Sequence, residues 1–271
     1  MPTIVVLVKH VPDTWSQKKL SEDFTLDRDN VDEVIDEINE YAVEQALKIR
    51  EADADAGWRV VALTAGTGRA EEALRKALAM GVDDAVLLSD EGIAGSDLPG
   101  TAWSLTCGID AATSALGLDD LKLIVTGNRS SDGLMGGMAG ILSEYRTIPA
   151  LTHLRSATVN AAEGTVTGVR ETPRGEFELA ATLPAIISVT DQADRPRFPN
   201  FKGIMAAKKA QITRLSLADT AATAEQVGGA HAATAVTAAA ERPERSQGEI
   251  IRDNGRAAVA IADFLESRNL I

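Results

Sequence analysis

Residues 60–88 read VVALTAGTGRAEEALRKALAMGVDDAVLL, and the fold follows from them. Val60-Val61-Ala62-Leu63 is a continuous apolar run with the character of a strand covered on both faces, and it ends at Gly66-Thr67-Gly68. Ala70, Ala73, Leu74, Ala77 and Leu78 then fall on one helical face, with Glu71 and Arg75, and Glu72 and Lys76, spaced as i, i+4 pairs on the other. Gly81 stands where a helix takes a C′ glycine, and Ala85-Val86-Leu87-Leu88 begins the next strand. Strand, glycine loop, helix, stop and strand make a βαβ unit, whose strands are parallel and whose crossover is right-handed.

The same rhythm extends both ways. Ile4-Val5-Val6-Leu7-Val8 is a second buried strand, and Ile38, Tyr41, Ala42, Ala46 and Ile49 trace a helix with Glu44 and Lys48 as an outward pair. Asp97 and Pro99 open a helix carrying Leu105, Ile109, Ala112 and Leu116. Leu121 to Val125 is another strand, running through Thr126-Gly127 into Gly133-Leu134-Met135-Gly136-Gly137 and a helix containing Ile141 and Leu142. This alternation predicts an α/β protein with a doubly wound, mainly parallel sheet. Thr165 to Arg170 and Glu176 to Ala180, joined by Thr172-Pro173-Arg174-Gly175, form a hairpin, and Ala185 to Val189 is a further strand, so an antiparallel extension is appended.

Beyond Leu217, residues 218–240 are mostly alanine and threonine and lack the large side chains for a core of their own. A helical face returns at Ala257, Ile261, Phe264 and Leu265, with Asp253 or Asn254 as its cap. A helix on such a tether suits docking on a partner.

The chain has 271 residues, 45% hydrophobic and 25% charged, and a formal net charge of −13. That balance repels a phosphate backbone and excludes nucleic acid as a partner. A single cysteine, Cys107, rules out an internal disulfide and fits a reducing compartment. The N-terminal apolar run is too short for a signal segment, and no stretch is long enough to span a bilayer, so the expectation is a cytoplasmic protein without direct membrane insertion. Aromatic residues are 4% of the chain, which argues against stacking platforms for single strands.

Signatures of the P-loop, the nucleophile elbow and paired metal ligands are missing, and His10, His153 and His231 are scattered, so neither a catalytic residue nor a metal ligand is assigned. In a doubly wound sheet, ligands sit beyond the carboxyl ends of the strands. Val8-Lys9-His10, Asp36 to Asn39, Thr64 to Gly68 and Gly127 to Gly137 lie at such ends, and their glycines serve either tight turns or a nucleotide. Elsewhere Arg195, Arg197, Lys202, Lys208, Lys209 and Arg214 are grouped without an acid among them, interleaved with Phe198, Pro199, Phe201, Ile204 and Met205. Charges alone make a solvated face; rings and sulfur among them favour a protein interface.

Several phrases recur together in one family. Leu7-Val8-Lys9-His10-Val11-Pro12-Asp13, Asn39 to Ala46, Arg75 to Gly81, Leu183 to Ile187, and Arg197 to Met205 before Ala207-Lys208-Lys209 stand in order along nearly the whole chain. In these the sequence resembles the beta (small) subunit of electron-transfer flavoproteins. The resemblance implies an adenine-nucleotide alpha-hydrolase-like fold and a heterodimer whose alpha subunit holds most of an FAD that this subunit shields and tunes. It implies electron shuttling, not catalysis by the chain's own acid and base, from dehydrogenases such as the acyl-CoA dehydrogenases of fatty acid oxidation to a membrane quinone oxidoreductase or another acceptor. It also implies an AMP in the beta subunit, replaced by a second FAD in bifurcating members. Carried over by motif, the cofactor-binding residues are Leu7, Val8, Lys9, Asp36, Glu37, Ile38, Asn39, Ala65, Gly66, Gly127, Asn128, Arg129, Ser130, Ser131 and Asp132, with Glu171 near the flavin ring. Partner recognition falls to Arg197, Phe198, Phe201, Ile204, Met205, Lys208 and Lys209, with Phe201 at the position of a partner-clasping leucine.

The implied organisation is a nucleotide-binding-type domain over 1–192, a recognition loop and helix over 193–214, and an arm wrapping the alpha subunit over 215–271. The chain departs from the family at Asp36-Glu37-Ile38-Asn39, where an Asn-Pro turn is usual, and after Asp132, where a polar phosphate-contacting loop is shortened to Gly133-Leu134-Met135-Gly136-Gly137. Two other readings stand beside this one. One is a self-contained adenine-nucleotide-binding sensor or nucleotide-transferring enzyme; the other is a heterodimer scaffold without redox duty.

Overall fold

In the computed structural model the N-terminal apolar run becomes β1 (Pro2–Leu7), the middle one of the parallel strands. Then come β2 (His10–Pro12), β3 (Glu33–Ile35), α1 (Glu37–Ala52), β4 (Arg59–Ala65), α2 (Glu71–Met80), β5 (Asp84–Leu88), α3 (Leu98–Ala115), β6 (Asp120–Gly127) and α4 (Met138–Arg146). The second half adds β7 (Ala150–Asn160), β8 (Thr165–Thr172), β9 (Gly175–Thr182), β10 (Ala185–Val189), α5 (Phe201–Lys209), β11 (Thr213–Leu215) and α6 (Ala257–Ser267). The structure describes residues 1–240, 243, 248, 250–253 and 255–271.

Nine strands form one sheet in the order β11-β5-β4-β1-β6-β10-β7-β8-β9. Strands β11 through β7 are parallel, and β8 and β9 are antiparallel additions. This is the predicted doubly wound α/β architecture with its antiparallel extension. Because successive side chains point to opposite faces, β1 feeds both cores. Ile4 and Val6 pack with Ala42, Leu47 and Leu74 of α1 and α2; Val5 and Leu7 pack with Leu105 and Ile109 of α3 and Leu142 of α4.

Strand β7 is the element that hydrophobic patterning misses. His153 and Arg155 interrupt its apolar residues, and only Leu151 and Leu154 are buried along its length. The small antiparallel pair β2–β3 and the three-residue edge strand β11 escape for a similar reason, since their pairing partners lie far away in sequence.

Two expected helix-surface pairs are also corrected. Glu44 is buried and does not pair with Lys48, which instead meets Asp194 at 2.6 Å. Lys76 pairs with Glu40 at 3.3 Å, not with Glu72, whereas Glu71 and Arg75 do pair at 2.7 Å. An i, i+4 pair contributes only about 0.2 to 0.5 kcal/mol, so a tertiary partner readily outcompetes it.

One compact unit spans Met1–Val236 and a second Thr237–Ile271. The first continues past residue 214 because β11 joins the sheet and Leu217, Ala222 and Val227 bury themselves with Cys107. In the second unit α6 begins after Arg256, and Asp253 Oδ1 accepts the N–H groups of Gly255 and Ala257 at 2.7 and 3.3 Å. Asn254, the other expected cap, lies outside the described residues. Among the described residues no helix is long and apolar enough to cross a membrane.

Candidate functional site

The parallel strands deliver their carboxyl ends to one rim, where a cavity of about 260 Å³ opens. Leu7, Val8 and Lys9 leave β1 into it, Ala65 leaves β4, and Asn128, Arg129 and Ser130 follow β6. Asn39, buried in the first turn of α1, closes one side and holds the Lys9 backbone N–H through Oδ1 at 2.8 Å. All eight of these were assigned from sequence. Ser96, Asp97, Leu98, Thr101, Leu105 and Met138, which also line the cavity, were not. The Asp97-Leu98-Pro99 helix start was the available signal, because a helix following a parallel strand begins at this rim; Asp97 accepts the Gly100 N–H at 3.0 Å.

The other assigned residues stand back from the cavity. Asp36 and Asp132 brace its loop. Asp36 Oδ2 accepts the Ser131 N–H at 2.8 Å, and Asp132 Oδ1 accepts the Lys9 ammonium at 2.8 Å and the Gly133 N–H at 2.7 Å. Gly127 lets α1 approach β6, since a Cβ there would lie 2.7 Å from Ile38 Cγ2. Gly66 closes the turn after β4 by donating to Leu88 O at 3.0 Å, and Glu37 is exposed. Glu171 lies on the hairpin, paired across β8–β9 with Glu176, and faces solvent away from the cavity lining.

Burial pushes the Asp36 carboxyl above its ordinary range, with the Ser131 N–H acting against that shift and the Asp132 charge reinforcing it. Burial acts in the same sense on Asp132, whose side chain is 2% exposed, but the charge and hydrogen bond of Lys9, with Ser130 and Arg28, hold it well below the usual carboxylate range. One neighbour thus stabilises a charge that the other disfavours.

The cavity suits an adenine mononucleotide. Leu7, Leu98, Leu105 and Met138 offer apolar surface to a flat base, while the Lys9 ammonium, Arg129 and the Ser130 hydroxyl offer donors to a phosphate. Its volume lies just below the roughly 300 Å³ lower end of drug-sized pockets.

The segment expected to recognise partners packs on α1 and α2. The Arg197 N–H and Nε both donate to Glu44 Oε2, at 3.0 and 2.7 Å, and its terminal nitrogens reach Glu51. Arg197 is therefore turned toward its own chain as the anchor of the loop. Asn200 caps α5 by accepting the Gly203 N–H at 2.8 Å. Phe198 and Phe201, 96% and 79% exposed, project outward with Ile204, Met205, Lys208 and Lys209 at the surface. Arg214 is paired with Glu71, while Arg195, Lys202, Lys208 and Lys209 make no ion pair among the described residues.

A doubly wound, mainly parallel sheet with a cavity at its carboxyl rim and an exposed segment bearing Phe198 and Phe201 defines the class as α/β. Comparison with known proteins narrows the class. The Electron transfer flavoprotein domain matches residues 23–220. The chain is 48% identical to the electron transfer flavoprotein subunit beta of Mycobacterium tuberculosis over the full length of both, and 32% identical to that of Megasphaera elsdenii over 94% of each. It is also 34% identical to the acryloyl-CoA reductase electron transfer subunit gamma of Anaerotignum propionicum, over 74% of this chain and 73% of that one. The chain belongs to the electron transfer flavoprotein family, and its full-length relatives are beta subunits.

Proposed function

We propose that this chain is the beta half of a heterodimeric electron carrier, which completes and tunes a flavin site on an alpha subunit and presents the pair to its electron donors. The observation that carries this reading is the recognition segment. Two aromatic rings that a monomer would bury stand in solvent on a loop locked by Arg197, a geometry suited to docking. The exposed segment would meet a dehydrogenase, and the apolar residues Val259, Ile261 and Phe264 of α6 suit contact with the alpha subunit. The relative named as an acryloyl-CoA reductase electron transfer subunit supports donors that act on acyl-CoA thioesters. The acceptor, on the family pattern, is a quinone oxidoreductase at a membrane or another acceptor.

When bound, FAD supplies the one- and two-electron chemistry. This chain's part is to exclude water and set the local field, with Glu171 on the hairpin as the group offered toward it. The cavity is assigned to AMP.

Co-expression tests the reading. Produced alone, the chain should be colourless; produced with an alpha subunit it should yield a yellow heterodimer that reoxidises a reduced acyl-CoA dehydrogenase. A lone or self-paired chain that hydrolyses or transfers ATP without a companion would establish the nucleotide-enzyme alternative, and a stable heterodimer without flavin would establish the scaffold alternative.

A further inference from the structure

Two buried carboxylates behind the cavity are held by cations from three separate parts of the chain. Asp132 takes Lys9 from the cavity wall at 2.8 Å and, on its other oxygen, Arg28 from the segment 13–32 between β2 and β3. Glu33 takes Arg28 at 3.0 Å and has His10 Nδ1 at 3.3 Å and Arg69 at 3.6 Å. Asp132 and Glu33 are 2% and 5% exposed, whereas Lys9 and Arg28 are both partly in solvent and can change partners. Arg69 also donates to the Arg28 and Val31 carbonyls, at 2.9 and 3.3 Å, so the segment's attachment to the body runs largely through these groups. At its outer end the segment carries Trp15, 96% exposed, with its N–H fixed by Asp13 Oδ1 at 3.0 Å.

We infer that Asp132 and Arg28 form a clasp through which an anionic ligand in the cavity tightens the segment 13–32 and so sets the presentation of the surface around Trp15. The inference rests on the assignment of the cavity to a nucleotide phosphate. A phosphate drawn to the Lys9 ammonium takes that cation away from Asp132. A carboxylate so deeply buried cannot be left without a counter-ion, because an uncompensated buried charge is strongly unfavourable. Arg28 is its other partner, and its bond to Asp132 strengthens as Lys9 is diverted. The segment is held more closely when the cavity is filled. Coupling is reciprocal: removing Arg28 leaves Asp132 dependent on Lys9 and weakens the ligand, although Arg28 does not line the cavity.

A double-mutant cycle on the full chain tests this, with AMP as the probe, calorimetry for affinity and hydrogen exchange for residues 13–32. AMP should slow exchange in the segment, and Arg28→Gln should weaken AMP about tenfold, within the range usual for linked sites. In an Asp132→Asn background, where Lys9 is already free, Arg28→Gln should leave AMP affinity unchanged, and AMP should no longer protect the segment. An equal loss in both backgrounds, unaltered exchange in the AMP-bound wild type, or no binding of AMP by the wild type overturns the clasp. Thermal melts of each variant separate a folding defect from lost coupling, and Arg28→Lys should restore part of the affinity. None of these readouts involves the flavin or a companion chain, so their failure is distinct from failure of the electron-carrier reading.

Discussion

Arg197 and Glu44 are bound twice through one oxygen: the backbone N–H of Arg197 and its Nε both donate to Glu44 Oε2, at 3.0 and 2.7 Å, while Nη2 reaches Oε1 at 2.9 Å. A carboxylate buried on α1 thereby fixes the start of a loop that lies far along the chain. The recognition segment owes its rigidity to this cross-link, and Glu51 extends it, its own carboxyl held low by the Arg197 hydrogen bond in spite of some burial.

Replacement of Arg197 by alanine should therefore act on stability and presentation together. Loss of one partner of a buried pair costs about 3 to 5 kcal/mol. Here the arginine side chain is 32% exposed, so screening reduces the loss to about 2 kcal/mol. Chemical denaturation should show the lower midpoint, and hydrogen exchange should show residues 195–200 opening before the sheet does.

Phe201→Ala should do the opposite. The ring is 79% exposed, so folding stability should change by less than about 0.5 kcal/mol. Docking on a dehydrogenase should lose the burial of one phenyl ring, about 1.5 to 3 kcal/mol, or roughly tenfold to a hundredfold in affinity. Electron-transfer kinetics against dehydrogenase concentration would show a raised half-saturation with the melting curve unmoved; an unchanged half-saturation removes Phe201 from the interface.

Gly203 holds α5 onto α2. A Cβ at this position would stand 2.5 Å from the Ala79 carbonyl oxygen, and that neighbour is backbone, which cannot rotate aside. Gly203→Ala should cost about 1 to 3 kcal/mol, the usual penalty of overpacking, and lift the helix that carries Ile204 and Met205. Gly140, with open space around its Cβ direction, is the control: Gly140→Ala, inside α4, should be neutral or slightly stabilising. Melts of the two variants side by side decide the point.

The two carboxylates that brace the cavity loop should titrate with opposite signs. Asp36 has its folded pKa raised, chiefly by burial, so its contribution to stability is complete below the ordinary carboxylate range and is lost as pH rises through the folded value. Asparagine keeps an acceptor for the Ser131 N–H without the charge. Asp36→Asn should therefore be more stable than wild type at pH 7, with the difference shrinking toward about pH 4. Asp132 has its folded pKa lowered despite burial, by Lys9 above all, so its contribution is present above the ordinary range and is lost as pH falls. Asp132→Asn should then lower stability at pH 7 and flatten the acid side of the profile. Urea midpoints measured from about pH 2 to 8 check both signs, the Asp36 difference opening above about pH 4 and the Asp132 difference closing below it.

Local periodicity determined the core of this protein before any coordinate was known. The runs at Ile4 to Val8, Val60 to Leu63, Ala85 to Leu88 and Leu121 to Val125 are apolar throughout, as strands covered on both faces must be, and the intervening apolar faces at 3.6-residue spacing leave few ways to arrange them. The cavity-facing residues after β1, β4 and β6 were legible for the same reason, since a parallel sheet places every strand's carboxyl end on one rim. The far wall, Ser96 to Thr101, follows β5 through a turn that carries Gly92 and Gly95, and the Asp97-Pro99 helix start beside them reads as a cap without showing that it faces the cavity.

What only the tertiary structure decided is which charges meet. Spacing suggested that Glu44 faced Lys48, and the resemblance that Arg197 faced a partner, yet Arg197 binds Glu44 and Glu51 across the chain. No local pattern records that Arg28 meets Asp132 or that His153 and Arg155 sit on a strand. An ion pair between distant residues forms because the hydrophobic layers have already brought those positions together, and burial then makes the pairing obligatory. Periodicity encodes the layers; the partners of buried charges exist only once the layers have closed.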